Sequence, residues 1–106
     1  DVMVLIDQCK SLVYNAACAI DTEPSRAAEF AHMAKASASE TAAFASGRSV
    51  QYHGGIGFTW EADCHLFYRR ARHLGLIIGA PRDWKRRLTH ALEQQLARES
   101  AERACA

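Results

Sequence analysis

Val2, Leu5, Ile6, Cys9, Leu12, Val13, Ala16 and Ile20 recur at three- and four-residue steps, which lays one apolar stripe along a first helix. Asp21-Thr22-Glu23-Pro24 ends it, because proline lacks an N–H donor and disfavours helix in the residue before it. A second helix is predicted from about Ser25 to Tyr52, with Thr22 or Ser25 as candidate caps and Pro24 near its first turn. Ala27, Ala28, Ala31, Ala34, Ala36, Ala38, Ala42, Ala43 and Ala45 give it a small-residue surface, with bulk only at Phe30, Met33 and Phe44. Alanine favours helix and lets neighbouring helices approach closely, so this helix is expected to be the central one. A third helix is predicted from about Trp60 to Ile78. A fourth follows Gly79-Ala80-Pro81, from Arg82 to about Glu102, with Trp84, Leu88, Ala91, Leu92 and Leu96 as its apolar positions. No segment alternates with period two over strand length. The predicted fold is therefore all-α, an antiparallel helical bundle with breaks near Asp21–Pro24, Gly54–Gly57 and Gly79–Pro81.

Composition narrows the function only by exclusion. The 106 residues carry a net charge of +1, with 49% hydrophobic and 24% charged residues. That balance gives no global attraction to nucleic acid or membrane. No apolar run approaches the ~20 residues that cross a bilayer, and no basic-then-apolar leader opens the chain. Cys9, Cys18, Cys64 and Cys105 form no CxxC pair and lack zinc-site spacing, so reduced thiols in a cytoplasmic protein are expected. Asp1-Val2-Met3-Val4-Leu5-Ile6 starts already in helical register without an initiating methionine. Residues 1–106 accordingly read as a partial C-terminal helical-bundle domain of a longer polypeptide, with an apolar face that the remainder would cover.

The densest chemical signal is Gln51-Tyr52-His53-Gly54-Gly55-Ile56-Gly57-Phe58-Thr59-Trp60-Glu61, followed by Arg69-Arg70-Ala71-Arg72. Three glycines within four residues permit positive φ and close approach of another molecule to the backbone. The plain reading of the same glycines is a helix C-cap and a tight turn. It is not a dinucleotide-binding strand–turn–helix fingerprint, since no strand precedes it and the spacing differs. Together with Ala34 to Glu40, the run resembles the glycine loop in the C-terminal helical domain of the acyl-CoA dehydrogenase family. The correspondence runs without a gap from Gln51 to Gly79. The resemblance implies FAD as cofactor, acyl-CoA thioesters as substrates, and oxidation of the Cα–Cβ bond in an oligomer. It also implies that Gln51 reaches the adenosine portion of an FAD held mainly by a neighbouring subunit, with Gly54 and Gly55 lying against the dinucleotide. Backbone N–H donors at short range suit pyrophosphate oxygens, and side chains there would obstruct them.

The same correspondence exposes a gap. Family members typically place a glutamate, then Gly-Thr, where this chain has Ile78, Gly79 and Ala80. In the family that glutamate takes the α-proton while the flavin takes hydride from Cβ. Isoleucine accepts no proton, so general-base catalysis from this position is excluded and no catalytic residue is assigned. Downstream, Pro81-Arg82-Asp83-Trp84 replaces the polar residues that often touch flavin. Two outcomes fit the family: a base on an earlier helix of the same domain, or a subunit with a degenerate site in a heteromeric enzyme. The Trp60-Glu61 and Arg69-Arg70 version of the motif is similar to that of bacterial members acting on bulky or steroid-derived thioesters.

Other constellations carry less. Cys64 and His65 are adjacent, and His65 and His73 lie about two turns apart, so neither arrangement builds a metal triad, and no metal site is assigned. His53 sits inside the loop, where cofactor contact and packing are both open. Arg69, Arg70, Arg72, Arg82, Lys85, Arg86 and Arg87 read as a solvated helix face with intersubunit ion pairs rather than a nucleic-acid patch, since no stacking aromatics interleave them. Arg69 matches an arginine common in the family motif. Two functions follow as expectations: part of an FAD-dependent acyl-CoA dehydrogenase-like enzyme, or a non-catalytic subunit of a homo- or hetero-oligomer of related chains.

Overall fold

A computed structural model describes residues 1–106 as four α-helices and one short 3-10 helix, without strands. Helix α1 spans Val2–Thr22, α2 Ala27–Tyr52, α3 Cys64–Leu76 and α4 Pro81–Cys105, with the 3-10 helix at Gly54–Phe58 between α2 and α3. All three predicted breaks are present.

Helix α2 is the hub: α1, α3 and α4 all pack against it. Its small residues make this possible. A Cβ on Gly47 would lie 3.8 Å from the Tyr68 ring, and Ser39 approaches Gly75 of α3 equally closely. Helix α3 runs back along α2 from Gly47 past Ser39 toward Lys35, whose ammonium donates to the Leu74 carbonyl at 2.8 Å. Helix α4 continues in the same direction along the N-terminal half, fixed by the Lys85–Glu40 ion pair and the His32–Trp84 ring contact at 5.2 Å. Both residues of that ion pair are about half exposed (56% and 53%), so it positions the helix and adds at most about 1 kcal/mol. Because α3 and α4 follow each other along one hub, the molecule is elongated, 66 × 22 × 22 Å.

Two local expectations are corrected. Neither Thr22 nor Ser25 caps α2, which starts after Arg26 with no side-chain cap. The Thr22 hydroxyl instead donates to the Cys18 carbonyl inside α1, and Arg26 forks onto both Glu29 oxygens at 3.3 Å. Helix α3 starts at Cys64, not Trp60. Thr59 turns back to donate its N–H and hydroxyl to the Ile56 carbonyl, which closes the 3-10 turn and forces a further turn before helix resumes.

Only nine residues are buried, mostly alanine, serine and threonine scale, and no large side chain is fully enclosed. Met3, Val4, Tyr14, Ile20, Phe58, Trp60, Phe67 and Leu96 are among the large apolar side chains left exposed. The interior of this chain is a set of close backbone approaches, not a filled core.

Candidate functional site

The loop after α2 assigns its three glycines three different jobs. Gly54 has φ +60°, the left-handed region that glycine enters without penalty, and it turns the chain out of α2. Gly57 is buried, and a Cβ there would lie 2.4 Å from the Val50 carbonyl oxygen, so packing inside the chain forbids any side chain. Gly55 is exposed, its φ is not positive, and a Cβ on it would meet nothing within 4 Å. Nothing within this chain requires glycine at position 55.

Around the glycines, the side chains are anchored back to α2 and α3. His53 Nδ1 lies 2.8 Å from the Ser49 carbonyl, so that nitrogen carries the proton and the ring folds back on its own helix. The Cys64 thiol, buried, donates to the Gly57 carbonyl at 3.3 Å and ties the loop to the start of α3. Gln51 is exposed, and its Oε1 accepts from Arg48 at 3.3 Å while its amide donors remain without a protein partner. Gln51, Gly54 and Gly55, the three sequence-predicted cofactor residues, therefore share one exposed stretch at the end of α2. The residues present fit a dinucleotide: a side-chain-free strip of backbone beside a free amide.

Sequence reasoning missed what lies beside that strip. Gly47, Val50, Phe58, Trp60, His65, Tyr68 and Arg69 line a cleft of about 450 Å³. Trp60 stands edge-on to His65 at 4.8 Å, and the Arg69 guanidinium lies 5.3 Å from its ring centre. No carboxylate lines this cleft, so it offers flat apolar surface and a cation, suited to holding a molecule and not to proton abstraction. Arg69 had a sequence signal; the grouping of the other six depends on how α3 packs against α2.

The turn between α3 and α4 holds the position of the missing glutamate. Ile77 is extended (φ −61°, ψ 131°), Ile78 has φ +69°, and the Gly79 N–H returns to the Leu76 carbonyl at 3.1 Å. This is the hydrogen-bonded pattern of a type II turn, whose third residue favours glycine. Here that residue is β-branched and 77% exposed. Helix α3 thus stops at Leu76, two residues before its predicted end. The turn is held from α4, where Trp84 Nε1 donates to the Gly79 carbonyl at 3.2 Å. Left-handed backbone costs an L-residue about 1–2 kcal/mol. Ile78→Gly, which relieves that strain but adds freedom to the unfolded chain, is expected to raise stability by about 0.5–1 kcal/mol in thermal melts. A loss of stability would show that the Ile78 side chain makes a contact worth more than the strain.

The family model described as "Acyl-CoA dehydrogenase, C-terminal domain" matches residues 1–81, that is α1 to α3 and the turn after them. The chain belongs to the acyl-CoA dehydrogenase C-terminal domain family. It is 38% identical over 88 residues to the acyl-CoA dehydrogenase IpdE2 of Mycobacterium tuberculosis, a match covering 83% of this chain and 26% of that protein. It is 41% identical over 58 residues to the IpdE2 of Mycolicibacterium smegmatis, covering 55% and 19% of the two chains. Over 40 residues it is 50% identical to the acyl-CoA dehydrogenase FadE34 of Mycobacterium tuberculosis, covering 38% and 6%. The chain thus spans about a quarter of the length of the first of these curated relatives. No solved structure matches. Within this oxidoreductase family, Ile78 stands at the turn where the sequence comparison above placed a glutamate. No helix is long and apolar enough to cross a membrane.

Proposed function

We propose that the chain is the C-terminal helical part of an FAD-dependent acyl-CoA dehydrogenase, whose Gln51, Gly54 and Gly55 lie against FAD at a subunit interface. Gly55 is the observation that carries this reading. Nothing inside the chain demands glycine at this position, and a bare, exposed backbone is what close approach of a dinucleotide requires. When bound, FAD supplies the two-electron acceptor for Cα–Cβ oxidation. The residues of this chain orient and cover it: Gln51 offers an amide free to donate, and Gly54 and Gly55 bring backbone within hydrogen-bond reach of phosphate oxygens. The Cys64–Gly57 bond and the His53–Ser49 bond hold the strip in place. Ile78 moves no proton, so the base belongs to another part of the assembly.

Ile78 also supports a second reading, a non-catalytic subunit that keeps the flavin interface without the base. The two are separated by flavin bleaching with a panel of acyl-CoA esters on full-length assemblies carrying Ile78→Ala. In an active subunit the substitution shifts which acyl chains reduce the flavin and leaves reduction itself intact. In a degenerate subunit, reduction by every ester is unchanged. Complete loss of reduction with FAD still bound would contradict both.

A further inference from the structure

The turn between α3 and α4 is built against local preference. Ile78 at φ +69° is followed by Gly79 at φ +123°, so two consecutive residues sit where L side chains rarely go, and the first of them is β-branched. Glycine or asparagine would fill the same place with less strain. The bundle does not bury Ile78 in return, since it remains 77% exposed. Backbone strain of this kind persists only where the surroundings over-determine it, and it gathers at sites that meet a ligand.

The residue that over-determines this turn is on α4. Trp84 Nε1 donates to the Gly79 carbonyl at 3.2 Å, and a Cβ on Gly79 would lie 3.4 Å from the same nitrogen, so the indole edge lies along the turn. Trp84 belongs to the first turn of α4, where its N–H and that of Asp83 both reach the Ala80 carbonyl, at 3.3 and 3.0 Å. Its ring is gripped in turn by His32 of α2 at 5.2 Å and by the Arg87 guanidinium at 4.8 Å. A chain of contacts therefore runs from the hub helix through Trp84 to Gly79 and the strained residue before it.

We propose that Trp84 is a positioning residue: by holding the Ile77–Gly79 turn it sets Ile78 out from the bundle as a fixed apolar wall of the acyl site, and so decides which acyl chains are accepted. The inference rests on the reading of the chain as part of an active acyl-CoA dehydrogenase and deepens it. A β-branched side chain is stiff at χ1, so on a fixed turn it presents one shape. On a loose turn the same side chain would retreat before a bulky acyl group, and discrimination between esters would fall. Neither residue moves a proton, so the effect belongs to binding and preference, not to the chemical step.

Trp84→Phe keeps a ring beside His32 and Arg87 and removes only the N–H donor. Full-length assemblies are assayed with a panel of linear and branched acyl-CoA esters. The ratio of kcat/KM between the best and the worst ester is expected to narrow by roughly fivefold, as loss of one hydrogen bond implies, with the change in KM and kcat nearly unaltered. With Ile78→Ala already present, Trp84→Phe is expected to add no further narrowing, because the wall it holds is gone. Independently of turnover, exchange of the Gly79 amide is expected to quicken severalfold in Trp84→Phe. It should change less in an Ile78→Gly background, where glycine takes the left-handed backbone without strain. An unchanged ester ratio in an assembly that turns over, a fall in kcat common to all esters, an equal shift with and without Ile78→Ala, or unchanged Gly79 exchange would overturn this inference alone. A wild-type assembly that holds FAD yet oxidises no ester would overturn the active-subunit reading and this inference together.

Discussion

Replacing Gly57 with alanine lowers the stability of the helical fold by about 2–3 kcal/mol, the cost of inserting a methyl group where packing leaves no room. The new Cβ would stand 2.4 Å from the Val50 carbonyl oxygen and 3.2 Å from the His53 Cβ. The nearer obstacle is backbone, which cannot rotate away as a flexible side chain can. The relief available is a shift of the 3-10 helix off the end of α2, and that shift breaks the buried Cys64 thiol bond to the Gly57 carbonyl. With so few residues buried, the chain has little packing elsewhere to absorb the loss. A fall in melting temperature of roughly 10 °C or more, followed by far-ultraviolet circular dichroism, is the expected result. An unchanged melt would show that the loop does not pack on α2 in this way.

Two positions earlier the opposite outcome is expected. Gly55→Val is expected to leave the melting curve almost unchanged, since a Cβ there meets nothing within 4 Å, the position is exposed and the backbone is not left-handed. Surface changes of this kind stay within about 0.5 kcal/mol. In the full-length assembly, however, the branched side chain occupies the strip against which FAD is proposed to lie, and the flavin recovered after gel filtration should fall severalfold. Full flavin content in Gly55→Val would leave the loop as a plain helix cap. The pair of substitutions separates folding from binding within three residues, which neither does alone.

The contrast between these glycines also marks where sequence reasoning stops. The number and order of the four helices were legible from apolar period, proline and glycine, whereas the start of α3 at Cys64 and its end at Leu76 were not. The alanine-rich surface of α2 correctly placed it at the centre. The sequence could not say which glycine serves conformation, which serves packing and which serves neither, because three identical residues carry no mark of the φ or the neighbour each will have. Ile78 was misplaced at the end of a helix, since a β-branched residue in the left-handed region contradicts the local preference from which helix ends are read. The aromatic cleft was hidden for another reason. Phe58, Trp60 and Tyr68 come together only through the packing of the loop and α3 on α2, and no local pattern encodes that register.

Hydrogen exchange at the loop tests the central claim most directly. The amides of Gly54, Gly55 and Ile56 are measured in the full-length assembly with FAD bound and after its removal. If this strip lies against the cofactor, their exchange slows by an order of magnitude or more when FAD is present, as for amides taken out of contact with water, while the exposed end of α4 is unaffected. Equal exchange in both states, with FAD demonstrably bound, would contradict the account.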